Sequence, residues 1–484
     1  MTELTISLDT KSSRPLYEQI YAYIKEEIQA GGLPFKERLP SSRNLAKYLQ
    51  VSRSTVDLAY EQLLSEGYIE SMPCRGYFVS ELDGLCFLKQ ETEEEKEDKE
   101  EENSRYDYDF SPYGIDVASF PQSAWRKVSK SILSEENHDY FQLGDPNGEI
   151  LLRRTIAEYL HQARGVNCTA SQVIVGAGND YLLMLLCTIC GRDYKIAMEN
   201  PTYMKAYRVL KMLSKEMVTI PMDQEGMKVD ALEKSGAEMA YVMPSHQYPL
   251  GTVMPIRRRM ELLRWAVKKE GRYIIEDDYD SEFRYKGKPI PSLQGYDNAG
   301  KVVYIGTFSR SIAPSIRISY MVLPHSLLEL YQRRGALFSS TVSRVDQMII
   351  TRFLKEGHFE RHLNRMRAVY KGRHDLLLEC LKQNGILDIC RVSGENAGVH
   401  ILLEFVNGMG EQEAIDQAAN EGVRVYGLSD YCVDIPEDIR EKTTVSEGGA
   451  LPGIQATVML GYANMKEEEI EEAVRRLGRA WHSL

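Results

Sequence analysis

Residues 39–66, LPSSRNLAKYLQVSRSTVDLAYEQLLSE, read as two short capped helices around a tight turn. In the first, Ser41 or Ser42 is placed to cap a helix that buries Leu45, Ala46 and Leu49, because a short hydroxyl ahead of the first turn satisfies amides that have no partner within the helix. Gln50-Val51 makes the turn. Ser52 then caps a second helix with Val56, Ala59, Tyr60, Leu63 and Leu64 on its apolar face and Arg53, Ser54 and Thr55 turned outward at its start. This is a helix-turn-helix, which sets the start of its second helix in the major groove of DNA. Upstream, PLYEQIYAYIKEEIQAGG (15–32) repeats Leu16, Ile20, Ile24 and Ile28 every four residues between a starting proline and a stopping glycine pair, so it reads as an amphipathic helix. Downstream, YIESMPCRGYFVS (68–80) reads as strand, turn and strand, a wing with Arg75 and Gly76 at its tip.

The 484-residue chain carries a net charge of -12, which argues against a protein that coats nucleic acid indiscriminately. A DNA contact must therefore come from a local patch. Between residues 36 and 53 the cations Lys36, Arg38, Arg43, Lys47 and Arg53 face only Glu37. Arg43 and Arg53 are the candidates for phosphate or guanine, Ser52 and Thr55 for phosphate or base edges, and Arg75 with Gly76 for the wing's approach to the groove, leaving Arg38 the most structural of the set.

With 43% hydrophobic and 27% charged residues the composition is that of a soluble, two- or three-domain protein. There is no apolar run of bilayer length and no secretory leader pattern, so a cytoplasmic location is expected. Eight scattered cysteines make no disulfide framework, and the Cys187–Cys190 pair lies in the apolar run LLMLLCTIC, which reads as core rather than as a metal or redox site. Composition divides the chain into a DNA-binding domain at 1–80, an acidic flexible linker at 81–107 centred on ETEEEKEDKEEEN (91–103), and an α/β domain at 108–484. In the last, short β-branched runs at 173–175, 240–243, 273–275 and 302–305 alternate with amphipathic helical stretches, the pattern of a mostly parallel sheet with helical crossovers.

Pockets in such sheets open at strand ends. There stand the Gly176-Ala-Gly178-Asn179 turn, ENPTY (199–203), MPSHQYPLG (243–251), YIIEDDYDSEFRY (273–285) and YIGTFSRSIAPSIRISYMVLP (304–324). Asp277 is placed to hold a protonated ring nitrogen, Tyr279 to meet a neighbouring hydroxyl and Tyr203 to stack on a planar ring. Thr307, Ser309, Arg317 and the Gly178 turn suit one phosphate group. Together these parts describe a pyridoxal phosphate site.

The N-terminal block, with L-P-S-S-R-x-L-A, V-S-R-x-T-V, A-Y-x-x-L, E-G-Y-I and G-x-F-V, resembles the winged helix of the GntR family, departing from it at Cys74 where the wing usually has glycine. The segment from about Tyr108 resembles a fold-type I aminotransferase. In this order, with S-H-Q-Y-P-x-G, E-D-D-Y-D-S-E-F-R-Y and Y-I-G-T-F-S-x-S-x-x-P-S-x-R, the two are similar to the MocR subfamily of GntR-family regulators. The resemblance implies a winged helix-turn-helix plus an α/β domain of mixed, mostly parallel sheet, a homodimer, and an operator near genes of amino-compound or vitamin B6 metabolism. It also implies a pyridoxal phosphate pocket at Gly178, Asn179, Tyr203, His246, Asp277, Tyr279, Thr307, Ser309, Arg310 and Arg317.

In that family the residue after G-T-F-S is the lysine that bonds the cofactor's aldehyde; here it is Arg310. A guanidinium stays protonated and forms no such bond, and the proton shuttle of transamination is lost with the amine. The expectation is a regulator without transaminase activity that holds pyridoxal 5'-phosphate or a related vitamer non-covalently, rather than an aminotransferase carrying a DNA-targeting domain. Two other readings of the pocket stand beside it: a degenerate site that only stabilises the fold, and a different anionic ligand held by Arg310 and Arg317. Asp430, in VYGLSDYC, stands near where some relatives carry an arginine, and would repel a carboxylate. No metal site is expected.

Overall fold

The computed structural model describes residues 6, 8, 9, 12, 14–73, 75–81, 106–191, 193–285, 290–334, 338–395, 397–433 and 456–482, in two compact units divided between Asp98 and Lys99. Cys74 and nearly all of the expected linker at 81–107 lie outside the described residues.

In the first unit, helix α1 (Leu16–Gln29) starts after Pro15 and buries Ile20, Ile24 and Ile28. Helix α2 (Ser42–Leu49) is capped by Ser41, whose Oγ accepts the Asn44 amide at 3.3 Å; Ser42, the alternative, is the buried first helical residue. The turn succeeds because Gln50 takes a left-handed conformation (φ 56°) that ends α2 within one residue. Helix α3 (Arg53–Ser65) is capped by Ser52, which accepts the Thr55 amide at 3.2 Å. Strands β1 (Ile69–Met72) and β2 (Gly76–Val79) form the wing as an antiparallel pair, Ile69 opposite Val79. Tyr60 of α3 ties the parts together: its ring is fully buried, edge-on to Tyr77 of the wing at 4.8 Å between centroids, and its hydroxyl donates to the Pro40 carbonyl at 2.8 Å. Burying that ring and satisfying its one polar atom fixes the wing against the reading helix.

The second unit is built on eight strands: β4 (Val173–Gly176), β5 (Lys195–Asn200), β6 (Glu216–Asp223), β7 (Gly226–Met227), β8 (Met239–Val242), β9 (Tyr273–Asp278), β10 (Val302–Thr307) and β11 (Ser319–Val322), after a short β3 (Tyr108–Asp109). Their order is β4-β11-β10-β9-β8-β5-β6-β7. The block β10-β9-β8-β5-β6 is parallel, and antiparallel pairs close both edges. The parallel strands read as near-continuous apolar runs because helices cover both faces. Helix α4 spans Gln122–Ile132, α5 spans Ile150–Arg164, and α6 (Asn179–Cys190) follows β4 directly, burying Leu182, Leu183, Leu186 and Cys187 against the sheet. Cys190 packs against the same core, so the C-x-x-C is part of the packing, as its apolar context predicted.

A smaller antiparallel sheet follows, of β12 (Cys390–Ser393), β13 (His400–Phe405), β15 (Tyr426–Gly427) and β16 (Thr457–Gly461) in the order β12-β13-β16-β15. The short β14 (Val423–Arg424) pairs in parallel with β3 instead, which brings the start of this unit to its C-terminal part. Register sets the site: Gly176, Ser319 and Thr307 stand in one row across β4, β11 and β10, and Asp277 is opposite Ile305 one strand further on.

Candidate functional site

Two surfaces collect the expected functional residues, one on each unit. On the winged helix, Arg43, Ser52, Arg53 and Arg75 are all exposed. Arg53 makes a one-turn ion pair with Asp57 at 3.3 Å. Ser52 and Thr55 are joined, hydroxyl to hydroxyl, at 2.7 Å, and Ser52 also meets Ser54 at 2.8 Å. The two serve first as a cap, and their oxygens lie at a helix N-terminus, where an anion is favoured. Gly76 enters β2 at φ 106°, a conformation that favours glycine. Beside it lies the Arg38 guanidinium, about 3.7 Å from where a Gly76 Cβ would stand, while the Arg38 backbone bridges Phe78. Arg38 is thus structural through its main chain, while its side chain adds charge at the foot of the wing.

The second unit holds a cavity of about 810 Å³ at the C-terminal ends of the parallel strands. Asn179, Tyr203, Asp277, Tyr279, Thr307, Ser309, Arg310 and Arg317, which the sequence reading groups, line it together. At one end Gly178 (φ 98°) precedes α6, and a Cβ there would fall 2.2 Å from an Arg317 Nη, so only glycine lets that guanidinium close over the turn. Arg317 itself is left-handed (φ 50°), which aims its half-exposed side chain back at Ala177 and Asp180, the latter shared with Lys205. Thr307 Oγ1 accepts from the Ser309 amide at 3.1 Å and from Ser319 Oγ at 2.8 Å, which holds the loop after β10 against the turn. Replacing Gly178 by alanine is expected to strain the turn and displace Arg317. In calorimetric titration the variant should lose at least about tenfold in affinity for a phosphorylated ligand, the loss of one charge-assisted contact, with little change in operator binding.

On the floor of the cavity Asp277 is 4% exposed and hydrogen-bonded by the Tyr241 hydroxyl and, at 3.3 Å, by Asn179 Nδ2. Burial pushes its carboxyl up to about 7 in spite of those donors. A carboxyl raised above its unfolded value of 3.8 stabilises the fold below that value, and the contribution is lost as pH rises through about 7. Asp277→Asn removes the ionisation. The ligand-free variant should therefore melt higher than the unaltered protein, by a margin that grows from about pH 4 to about pH 7 and is constant above; a margin independent of pH would contradict this. A ligand with a protonated ring nitrogen supplies the missing countercharge in the unaltered protein alone.

Two expected site residues stand back from the cavity wall. Gly178 contributes through the turn it permits rather than by contact. His246 is 4% exposed and lies behind Tyr279, its Nδ1 2.9 Å from Asp280 and 3.1 Å from the Tyr279 hydroxyl. It orients Tyr279 and does not face the cavity, because the Asp280 carboxylate turns the ring inward. Residues not singled out as ligand contacts also line the wall: Tyr113, Tyr248 and Tyr431, whose rings meet at 5.3–6.4 Å, and Asp430 beside them. Tyr248 and Tyr431 lie inside the quoted segments 243–251 and VYGLSDYC. Tyr113 had no signal of its own, and reaches the cavity through the β3–β14 pairing.

Arg310 occupies the expected place of the reactive amine. Its two Nη atoms donate to the main-chain carbonyls of Tyr113 and Pro112, both at 2.8 Å. Its Nε, together with Ser309 Oγ and Asn179 Oδ1, is shut off from solvent with no hydrogen-bond partner. Each such buried orphan costs about 1–3 kcal/mol. Three within the lining suit a cavity completed by a polar ligand, and the set fits the phosphate and ring of pyridoxal phosphate; it lacks only the amine.

A winged helix-turn-helix followed by a fold-type I unit defines a class of DNA-binding regulators with an aminotransferase-like domain. Residues 16–79 match the family model of bacterial regulatory proteins of the gntR family, and residues 116–477 that of aminotransferase class I and II. The chain is 39% identical over 488 residues to the HTH-type transcriptional regulator YdeL of Bacillus subtilis, covering 99% of each chain. It is 29% identical to the probable rhizopine catabolism regulatory protein MocR of Rhizobium meliloti, over 99% and 96% of the two chains. The fold matches the crystal structure of a multiple substrate aminotransferase from Thermococcus profundus with a TM-score of 0.66 at 24% identity, over 82% of this chain and 96% of that one. The protein belongs to the MocR subfamily of GntR-family transcriptional regulators, with a class I and II aminotransferase domain.

Proposed function

We propose that the second unit senses a phosphorylated vitamin B6 vitamer, or an amino adduct of one, held without a covalent bond, and that it does not transaminate. The observation that carries this reading is Arg310, a permanently charged guanidinium anchored to two carbonyls where the chemistry requires an amine. When bound, pyridoxal phosphate supplies an aldehyde and an electron-withdrawing ring. The chain's own groups would hold it: Gly178, Ser309 and Arg317 at the phosphate, Asp277 at the ring nitrogen, Tyr279 at the adjacent hydroxyl and Tyr203 against the ring face. None of them replaces the proton shuttle.

The DNA face is assigned to Arg43, Ser52, Arg53, Thr55, Arg75 and Gly76, and the partner is a double-stranded operator in the cytoplasm. Relatives named for rhizopine catabolism and pyridoxine biosynthesis point to genes of amino-compound or vitamin B6 metabolism. Residues 81–107 would connect the units. A homodimer would cover large apolar side chains exposed along one stretch, Leu133 (52%), Phe141 (69%) and Leu143 (92%). Calorimetric titration of the whole protein with pyridoxal phosphate tests the reading. Saturable binding that borohydride does not fix, with a change in operator affinity, is expected; a borohydride-fixed adduct or turnover with amino donors would refute it.

A further inference from the structure

The geometry points to Arg310 as a specificity-determining residue that selects vitamers bearing an anion or a hydrogen-bond acceptor, rather than an ammonium, at the 4′ position. This rests on the reading that a phosphorylated B6 ring occupies the cavity.

A guanidinium carries five N–H donors in one plane. In Arg310 two are spent, one from each Nη, on the carbonyls of Tyr113 and Pro112. Nε–H is buried and has no acceptor. The edge made by Nε–H and a neighbouring Nη–H is the one that receives a carboxylate side-on, with two parallel hydrogen bonds. Because the other donors tie the group to main chain, it cannot swing away to solvent to escape a mismatched ligand.

The chemistry of the ring decides which ligand atom meets that edge. In a B6 vitamer the 4-substituent lies opposite the ring nitrogen, between the 3-hydroxyl and the arm that carries the phosphate. With the nitrogen over Asp277 and the phosphate at the Gly178–Arg317 end, the 4′ group falls between the Tyr279 side and the Ser309 side of the cavity. Arg310 follows Ser309 in the chain and lines the same cavity as Tyr279 and Tyr203. An ammonium there, as in pyridoxamine phosphate, meets a fixed like charge and gives Nε–H no acceptor. An aldehyde accepts one hydrogen bond, and a carboxylate accepts two and neutralises the charge.

The test is isothermal titration of the full chain with pyridoxamine 5'-phosphate, pyridoxal 5'-phosphate and 4-pyridoxic acid 5'-phosphate, repeated with Arg310→Gln, whose fold is checked by its thermal melting and circular dichroism. Affinity should rise in that order, the carboxylate binding at least about tenfold tighter than the amine, as one charge-assisted pair requires. The order should flatten in Arg310→Gln. Equal or tighter binding of the amine to the unaltered protein would overturn the assignment, as would a carboxylate preference that survives in Arg310→Gln. If none of the three binds, the B6 reading of the cavity fails and this inference falls with it.

Discussion

Arg310→Lys should gain what the unaltered protein lacks: a visible absorbance band on mixing with pyridoxal phosphate, made permanent by borohydride. The change exchanges a guanidinium that stays protonated for an amine that can shed its proton and attack an aldehyde. In the proposed pose the other groups are already placed, with Asp277 on the floor, Tyr279 on one side and the Gly178–Arg317 turn where the phosphate would lie. The effect is all-or-none in the spectrum rather than a graded change in affinity. A cost accompanies it. The lysine cannot bridge the Pro112 and Tyr113 carbonyls as the fork does, so the segment carrying Tyr113 loses about two charge-assisted contacts, each worth roughly 1.5–3 kcal/mol at most. Exchange of the amides around residues 112–114 should quicken in ligand-free Arg310→Lys and slow again once the cofactor is bound. Absence of the band in a folded variant would mean that position 310 does not face the 4′ carbon, and the proposed pose would have to be abandoned.

Arg43→Ala should weaken operator binding by roughly tenfold to a hundredfold, the about 1–3 kcal/mol that one guanidinium contributes at a base edge. Arg43 is exposed in the first turn of α2, just after the Ser41 cap. Its loss touches no core residue, so the melting of the winged helix, vitamer binding and self-association should be unchanged. If Arg43 meets phosphate instead of guanine, the loss will be uniform across sequences and the slope of log affinity against log salt will fall by about one. Arg53→Ala should cost less, since Arg53 is partly neutralised by Asp57 at 3.3 Å in the free protein. Unchanged sequence-specific binding by Arg43→Ala would remove it from the reading face.

Much of the molecule was legible before folding because it depends on neighbours in the chain. The cap at Ser52, the choice of Ser41 or Ser42 for the helix before it, the apolar stripe from Ile20 to Ile28 and the strand ends that carry Asp277 and Thr307 all follow from spacings of a few residues. The tyrosine wall was not. Tyr113, Tyr248 and Tyr431 come from three distant segments, and no local pattern says that their rings meet.

His246 shows the same limit from the other side. Its motif marks it as a site residue, yet the packed structure, with Asp280 and Tyr279 both on Nδ1, sets it behind the cavity wall against Tyr279.

The amino-acid sequence by itself determined the two-unit plan, the helix-turn-helix and the absence of an amine at position 310, since each is a matter of residue type and short-range periodicity. Tertiary structure alone decided what Arg310 does instead. Only when β3 pairs with β14 do the carbonyls of Pro112 and Tyr113 come within 2.8 Å of a side chain almost two hundred positions later, spending two of its donors and leaving Nε–H for a ligand. Such a contact is set by strand register across the fold, which no local run of sequence encodes.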